Sequence, residues 1–200
     1  MAANSSRTQV LLDRRAVVAA VLDRRPHNLL VVTGLGSPTY DVAACGDAAL
    51  NFPLWGAMGL AVPVGLGLAL ARPADRVLVV TGDGEMLMGL GSLATVGVRR
   101  PGNLAVLVLD NEAYGETGGQ ASHTAHGADL CAVALACGFT ATKLAKTDGD
   151  IAGLRDLLVE GQGPVLAVAK ISRTDVTRVM PPRDGHLLRQ RFRSALPGGA

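Results

Sequence analysis

Arg76-Val77-Leu78-Val79-Val80-Thr81-Gly82-Asp83-Gly84-Glu85 is the stretch on which the reading of this chain turns. Its first six residues are largely apolar and β-branched, which predicts a buried strand, and the strand ends in a glycine turn carrying one aspartate. Leu104-Ala105-Val106-Leu107-Val108-Leu109-Asp110-Asn111 repeats the arrangement, with Asn111 falling 28 residues after Asp83. Both polar clusters therefore lie at the carboxyl ends of predicted strands, where open α/β sheets bind ligands. Asp83 and Asn111 are hard oxygen donors suited to Mg2+ or Ca2+. Gly82 and Gly84 let a phosphate approach the backbone closely, and the following helix start offers unpaired N–H groups. These parts suit a diphosphate bridged to the protein by one divalent ion.

Outward from this pair, helix and strand alternate. The pattern predicts helix over 14–24, stopped by Pro26, strand 29–33, a short helix 38–44, a short strand 51–54 and a helix 54–71. Strand 76–81, helix 86–98 and strand 104–109 follow, then a loop over 111–127, helix 128–137, strand 139–144, helix 148–158 and strand 164–170. That order implies a doubly wound, mainly parallel α/β sheet with helices on both faces. Residues 1–171 read as one domain. Residues 172–200, with Pro181-Pro182 and a basic run over 185–195, read as either a helix lying on a partner or a flexible tail.

Composition narrows the function classes. Hydrophobic residues make up 48% of the chain, aromatics 3%, and 25 glycines permit close backbone packing. No basic stripe is interleaved with aromatics, which argues against nucleic-acid binding, and the scattered and C-terminal arginines read as solvated surface or subunit contacts. Cys45, Cys131 and Cys137 have no metal-ligand spacing; they read as buried small residues of a cytoplasmic protein. The charge-free run 54–71 approaches the length of a membrane span, but Gly56, Gly59, Pro63, Gly65 and Gly67 interrupt it, which favours a core helix over a span.

Gly-Asp-Gly followed after 25 to 30 residues by Asn resembles the thiamine diphosphate motif of the pyruvate decarboxylase and acetolactate synthase superfamily, in its diphosphate-binding domain. The resemblance covers roughly residues 29–171. It implies that Asp83 and Asn111 give side-chain oxygens to Mg2+, that Ala113 gives its main-chain carbonyl, and that Gly84, Glu85, Tyr114 and Gly115 lie against the diphosphate. Gly56-Ala57-Met58-Gly59 stands where the family places a bulky apolar residue beneath the bent cofactor, which makes Met58 the candidate wedge; core packing is the other reading of that methionine. Gly34-Leu35-Gly36-Ser37 is similar, more loosely, to the family's first phosphate-contacting turn. Gly56-Ala57-Met58-Gly59, Gly82-Asp83-Gly84 and Gly118-Gly119-Gln120 together resemble the beta subunits of sulfopyruvate decarboxylases and the phosphonopyruvate decarboxylases. One departure is Asp110, where the family often has a second asparagine. It either adjusts metal affinity or satisfies a nearby backbone donor, and short Asx side chains favour the latter.

The resemblance also implies an activity. In the family the thiazolium carbon adds to the ketone of a 2-oxo acid and the ring nitrogen takes up the electrons released as CO2 leaves, so the expectation is a thiamine diphosphate-dependent carboxy-lyase acting on a small 2-oxo acid, one with a second anionic group. His123 and His126, in the loop after Asn111, are candidates to move a proton near neutral pH, against the reading as surface histidines. Glu116, Thr117 and Gln120 are further candidate substrate contacts. Family members activate the cofactor with a glutamate of a pyrimidine-binding domain, and 200 residues suit a single domain. A separate pyrimidine-binding, alpha-type subunit in a heterotetramer is therefore expected. A carboligase, an oxidative enzyme or a non-catalytic cofactor-binding subunit would carry the same motif.

Overall fold

Six parallel strands alternate with helices along the chain. The structure, a computed structural model, describes residues 11–196 and 198, so the extremes of both sequence-defined segments, 1–10, 197 and 199–200, lie outside it. The strands are β1 (Leu29–Thr33), β2 (Asn51–Pro53), β3 (Arg76–Gly82), β4 (Leu104–Asp110), β7 (Ala141–Ala145) and β8 (Val165–Lys170), in the order β2-β1-β3-β4-β8-β7. A separate antiparallel pair, β5 (Ala113–Tyr114) with β6 (Gln120–Ala121), follows β4. The helices α1 (Arg14–Leu22), α2 (Ser37–Ala44) and α7 (Ile151–Arg155) cover one face of the sheet, and α3 (Ala61–Ala71), α4 (Asp83–Met88), α5 (Ser92–Arg99), α6 (Leu130–Ala136) and α8 (Gly185–Ala195) the other. The doubly wound α/β expectation holds.

Strand periodicity divides the core. Val77 and Val79 of β3, with Leu104, Val106 and Val108 of β4, pack towards α3 and α5, while Leu78, Val80, Ala105 and Leu107 pack towards α1 and α7. All are within 1% of full burial, which is why these strands read as continuous apolar runs rather than alternating ones. Chain order reverses about β1, which has β2 on one side and β3 on the other. The carboxyl ends of β1, β3 and β4 therefore flank the crevice that such sheets use for ligands.

Glycines correct several expected boundaries. The helix expected from residue 54 begins at Ala61, because Gly56 (φ +76°) and Gly59 (φ +84°) hold the preceding loop in left-handed conformations. The helix expected over 86–98 is interrupted between α4 and α5. There Gly89 lies so close to Gly59 that a Cβ would come 2.1 Å from the Gly59 carbonyl oxygen, so the Met58 loop occupies the break. The loop expected over 111–127 contains the β5–β6 pair and two short 3-10 turns. The helix expected over 148–158 is a 3-10 turn, then α7, then a π-helical turn at Asp156–Glu160.

Other expectations shift too. Cys45 is exposed and Cys131 and Cys137 are half-buried, all unpaired, so the reading of buried cysteines fails at Cys45. Among the described residues, no helix is long and apolar enough to cross a membrane. Several C-terminal arginines bond within the domain rather than only to water. Arg173 donates to the carbonyls of Asn111 (2.9 Å) and Glu112 (2.8 Å), and Arg191 pairs with Asp47 at 2.7 Å. Residues 172–184 cross the carboxyl edge of the sheet, and α8 docks on β2 through Phe192, whose ring meets Phe52 edge-on at 5.3 Å.

Gly97 tests the packing of α5 against the end of α6, since a Cβ there would lie 1.6 Å from the Cys137 carbonyl oxygen. Gly97→Ala is expected to destabilise by about 1–3 kcal/mol. Gly91→Ala, where a Cβ meets nothing within 4 Å and φ is −59°, should be neutral or slightly stabilising. Urea unfolding midpoints of the two variants check this; equal midpoints would contradict the packing.

Candidate cofactor and metal site

Asp83 begins α4 immediately after β3 and is 1% exposed. Its Oδ2 accepts hydrogen bonds from the Ser122 hydroxyl and from Thr124 Oγ1 at 3.3 Å, and Thr124 Oγ1 also lies 2.7 Å from Asp110 Oδ1. Burial pushes the Asp83 carboxyl above the usual aspartate range, with the Ser122 bond opposing and the nearby Asp110 adding. Asp110 performs the backbone role expected of it: Oδ1 accepts the Glu112 N–H at 3.0 Å. It also does more, since Oδ2 lies 2.8 Å from Lys170 Nζ, which in turn reaches Glu112 Oε1 at 2.7 Å. Burial would lower the Lys170 pKa, but its bonds to Asp110 and Glu112 outweigh that and hold it raised.

Asn111 Oδ1 accepts the Ala113 N–H at 3.0 Å, and Glu112 between them takes φ +59°, so the chain turns sharply where β4 ends. Pairing of β5 with β6 fixes Ala113 and Tyr114. The Tyr114 ring covers Gly84 so closely that a Cβ on Gly84 would sit 2.7 Å from the ring. Glu85, 9% exposed, accepts from Thr81 Oγ1 at 3.0 Å through Oε2. Its carboxyl faces the amides of Leu35, Gly59 and Ala61, although Oε1 makes no well-aligned bond, and burial raises its pKa against those contacts. Glu85 thus ties together β3, the turn after β1 and the Met58 loop.

An open cleft of about 580 Å³ lies over these strand ends. Of the residues singled out in the sequence, it is lined by Ser37, Met58, Gly82, Gly84, Glu85, Asn111, Ala113, Tyr114 and Gly115. Asp83 lies buried behind the lining, Gly36 (φ +80°) precedes Ser37 at the start of α2, and Gly56 is exposed in the loop before Met58. His123 and His126 are exposed and do not line the cleft; His123 Nδ1 shares a hydrogen bond with the Tyr114 hydroxyl at 3.0 Å. Glu116 and Thr117 line it, whereas Gln120 does not. Leu35, Met88, Leu109 and Ile171 also line it, and sequence reasoning missed them. Only Leu35, between two glycines of the recognised turn, carried a signal that could have found it.

The donor set fits a divalent cation that brings further oxygen ligands with it. Asp83, Asn111 and the Ala113 carbonyl are all hard donors, and among the described residues no group of three or more His, Cys, Asp or Glu could hold a metal alone. One buried carboxylate leaves much of a dication's charge for phosphate oxygens to meet. Gly82, Gly84 and Gly115 keep the floor of the cleft free of side chains.

Residues 35–169 match the family model for the "Thiamine pyrophosphate enzyme, C-terminal TPP binding domain". The chain belongs to this thiamine diphosphate-binding family. It is 38% identical over 122 residues to sulfopyruvate decarboxylase subunit beta of Methanocaldococcus jannaschii, covering 61% of this chain and 64% of that one. It is 41% identical over 153 residues to phosphonopyruvate decarboxylase of Streptomyces viridochromogenes, covering 76% of this chain and 38% of that one. The chain thus spans under two thirds of the length of these relatives. A putative thiamin diphosphate-dependent enzyme from Mycobacterium smegmatis shares the fold, with TM-score 0.69 and 21% identity over 82% of this chain and 32% of that one.

The raised Glu85 pKa has a signed consequence. The folded state holds the Glu85 proton at a pH where the unfolded chain has released it, so this contribution to stability is present in acid and falls as pH rises above the ordinary glutamate value of 4.5. Glu85→Gln removes that titration and turns an NH2 group towards backbone N–H donors, costing about 1–3 kcal/mol. Urea midpoints should show the advantage of the wild type over Glu85→Gln widening as pH falls from 7 towards 5. An advantage that shrinks would reverse the assigned shift.

Proposed function

We propose that this chain is the diphosphate- and Mg2+-binding subunit of a split thiamine diphosphate-dependent 2-oxo acid decarboxylase, active with a pyrimidine-binding partner. The observation that carries this reading is that Asn111 and Met58 line one cleft and Asp83 lies buried directly behind that lining, between Gly82 and Gly84, although the three come from separate stretches of sequence. Asp83, Asn111 and the Ala113 carbonyl would hold Mg2+. Ser37, Gly82, Gly84 and Gly115 would lie along the diphosphate. Met58, half-buried on the cleft wall, would support the bent thiazolium ring. The chemistry that bound thiamine diphosphate supplies is an electron sink for loss of CO2 from a 2-oxo acid. The chain's own residues orient the cofactor and limit water: Tyr114 closes over Gly84, and Glu85 fixes the two loops that frame the diphosphate end.

A partner subunit is supported in two ways. Three of the relatives are named as beta subunits of sulfopyruvate decarboxylase. In addition, α3 carries no charged residue, and Leu60, Leu70 and Met88 on and beside it are 52%, 42% and 57% exposed, with Met88 at the rim of the cleft. A helix that is apolar on all sides is ordinarily covered. Since Glu85 is anchored beneath the turn after β1, the activating glutamate is assigned to the partner, and a heterotetramer follows from pairing around shared cofactors. His123 is kept as a candidate for proton transfer through its bond to Tyr114; His126 has only its place in the same turn.

Native mass spectrometry of the chain, purified gently from its own cells in Mg2+, should show a second chain and the mass of thiamine diphosphate. The chain alone without cofactor would remove the catalytic reading. Asp83→Ala should weaken cofactor binding by more than about tenfold, as chelation of the metal should in the wild type. Calorimetric titration reads both. Turnover of the reconstituted complex that survives Asp83→Ala would instead mark a non-catalytic subunit.

A further inference from the structure

A second cleft shares the wall of Ser37, Asn111, Ala113, Gly115 and Glu116 with the cofactor cleft. Its other boundary brings together Arg14 at the start of α1 and Arg173 and Arg178 after β8. Backbone pairing causes this juxtaposition. Leu12 N donates to the Lys170 carbonyl at 3.1 Å and Ser172 N donates to the Leu12 carbonyl at 2.9 Å, so α1 begins beside the segment that leaves β8.

Arg14 is 9% exposed, and a guanidinium carries five N–H donors. Its charged contact is with Asp41, Nε to Oδ2 at 3.4 Å, too misaligned to be a hydrogen bond. Asp41 is fully buried and is shared with Arg15, whose Nε is also 3.4 Å away and which donates to the Thr177 carbonyl at 2.8 Å. Two cations thus meet one buried carboxylate, and among the described residues Arg14 keeps unmatched donors at the edge of a cleft. Arg173 uses Nε and one terminal nitrogen on the Asn111 and Glu112 carbonyls. Arg178 lies over the Tyr40 ring, 5.5 Å from its centroid, and has no hydrogen bond to protein among the described residues. The carboxylates lining the cleft, Glu116 and Asp175, are exposed and screened by water, whereas Arg14 is not.

We propose that Arg14, Arg173 and Arg178 form a subsite for a small oxyanion, the second acid group of the reactant. Planar guanidinium forks match carboxylate, sulfonate and phosphonate oxygens, and a buried cation with spare donors is stabilised by such an anion. The position beside Asn111 and Gly115 sets the anion next to the cofactor cleft rather than within it. The assignment to the reactant rests on the decarboxylase reading; the oxyanion site itself does not.

The test titrates the full-length chain, with any chain that co-purifies, with methylphosphonate by calorimetry, with and without saturating thiamine diphosphate and Mg2+. Saturable binding is expected that the cofactor does not block and that weakens about tenfold in Arg14→Gln and in Arg178→Gln. Arg178→Gln keeps the test decisive if loss of the Arg14–Asp41 pair prevents folding. No saturable binding, binding unchanged in both variants, or displacement by thiamine diphosphate with Mg2+ would overturn the subsite. Methylphosphonate binding that responds to the variants in a chain that takes up no cofactor would uphold the oxyanion site and defeat the decarboxylase reading. In an active complex, methylphosphonate should compete with the 2-oxo acid, raising KM alone; a fall in kcat at unchanged KM would overturn the assignment to the reactant.

Discussion

The register between β3 and β4 sets Gly82 opposite Leu109, and the rest of the site depends on it. Because the two strands run parallel and end at nearly the same level, Asp83, just beyond β3, emerges beside Asp110, the last residue of β4, and Asn111, the first beyond it. Strand β8 continues the alignment, with Lys170 opposite Asp110, which places an ammonium group against that carboxylate. A shift of one residue would turn the β4 side chains now packed on α3 and α5 towards α1 and α7, and the reverse, so both fully buried core layers would have to repack and the packing itself enforces the register. The polar network of Asp83, Ser122, Thr124, Asp110 and Lys170 is therefore held by apolar packing beneath it rather than by its own bonds.

Much of this was legible because buried parallel strands leave a plain signature. The run from Arg76 to Gly82 and that from Leu104 to Asp110 marked both the sheet and the strand ends at which Asp83 and Asn111 emerge, to within one residue. Asp110 was legible too, since an Asx side chain bonding two residues ahead is a local matter. What the sequence hid depends on distant segments. The break between α4 and α5 arises because the Met58 loop packs against Gly89, and no feature within 86–98 announces it. Ser122 and Thr124 reach Asp83 from about forty positions away, across a turn with no regular period. Met88 and Ile171 line the cleft as ordinary apolar residues, and residue type alone does not separate a lining position from a core one.

The C-terminal segment shows how interactions of different strength divide the work. The exposed pair of Arg191 with Asp47 contributes little, about 0–1 kcal/mol for such pairs. Burial of Leu188 and Phe192, at 2% and 6% exposure, contributes about 1.5–3 kcal/mol each and anchors α8 to β2. Between that anchor and β8, the segment is guided by single contacts: Thr177 with Arg15, Arg178 over Tyr40, and Pro182 accepting from Trp55 Nε1 at 3.1 Å. Its two ends are thus fixed firmly and its middle lightly. Arg173, next to β8, is bonded to two carbonyls of the Asn111 turn and is thereby tied to the end of β4. Arg178 lies in the lightly held middle. A cationic wall built in this way presents one fixed guanidinium from the segment, one from α1 and one that can adjust, an arrangement able to close on an anion without disturbing Asn111.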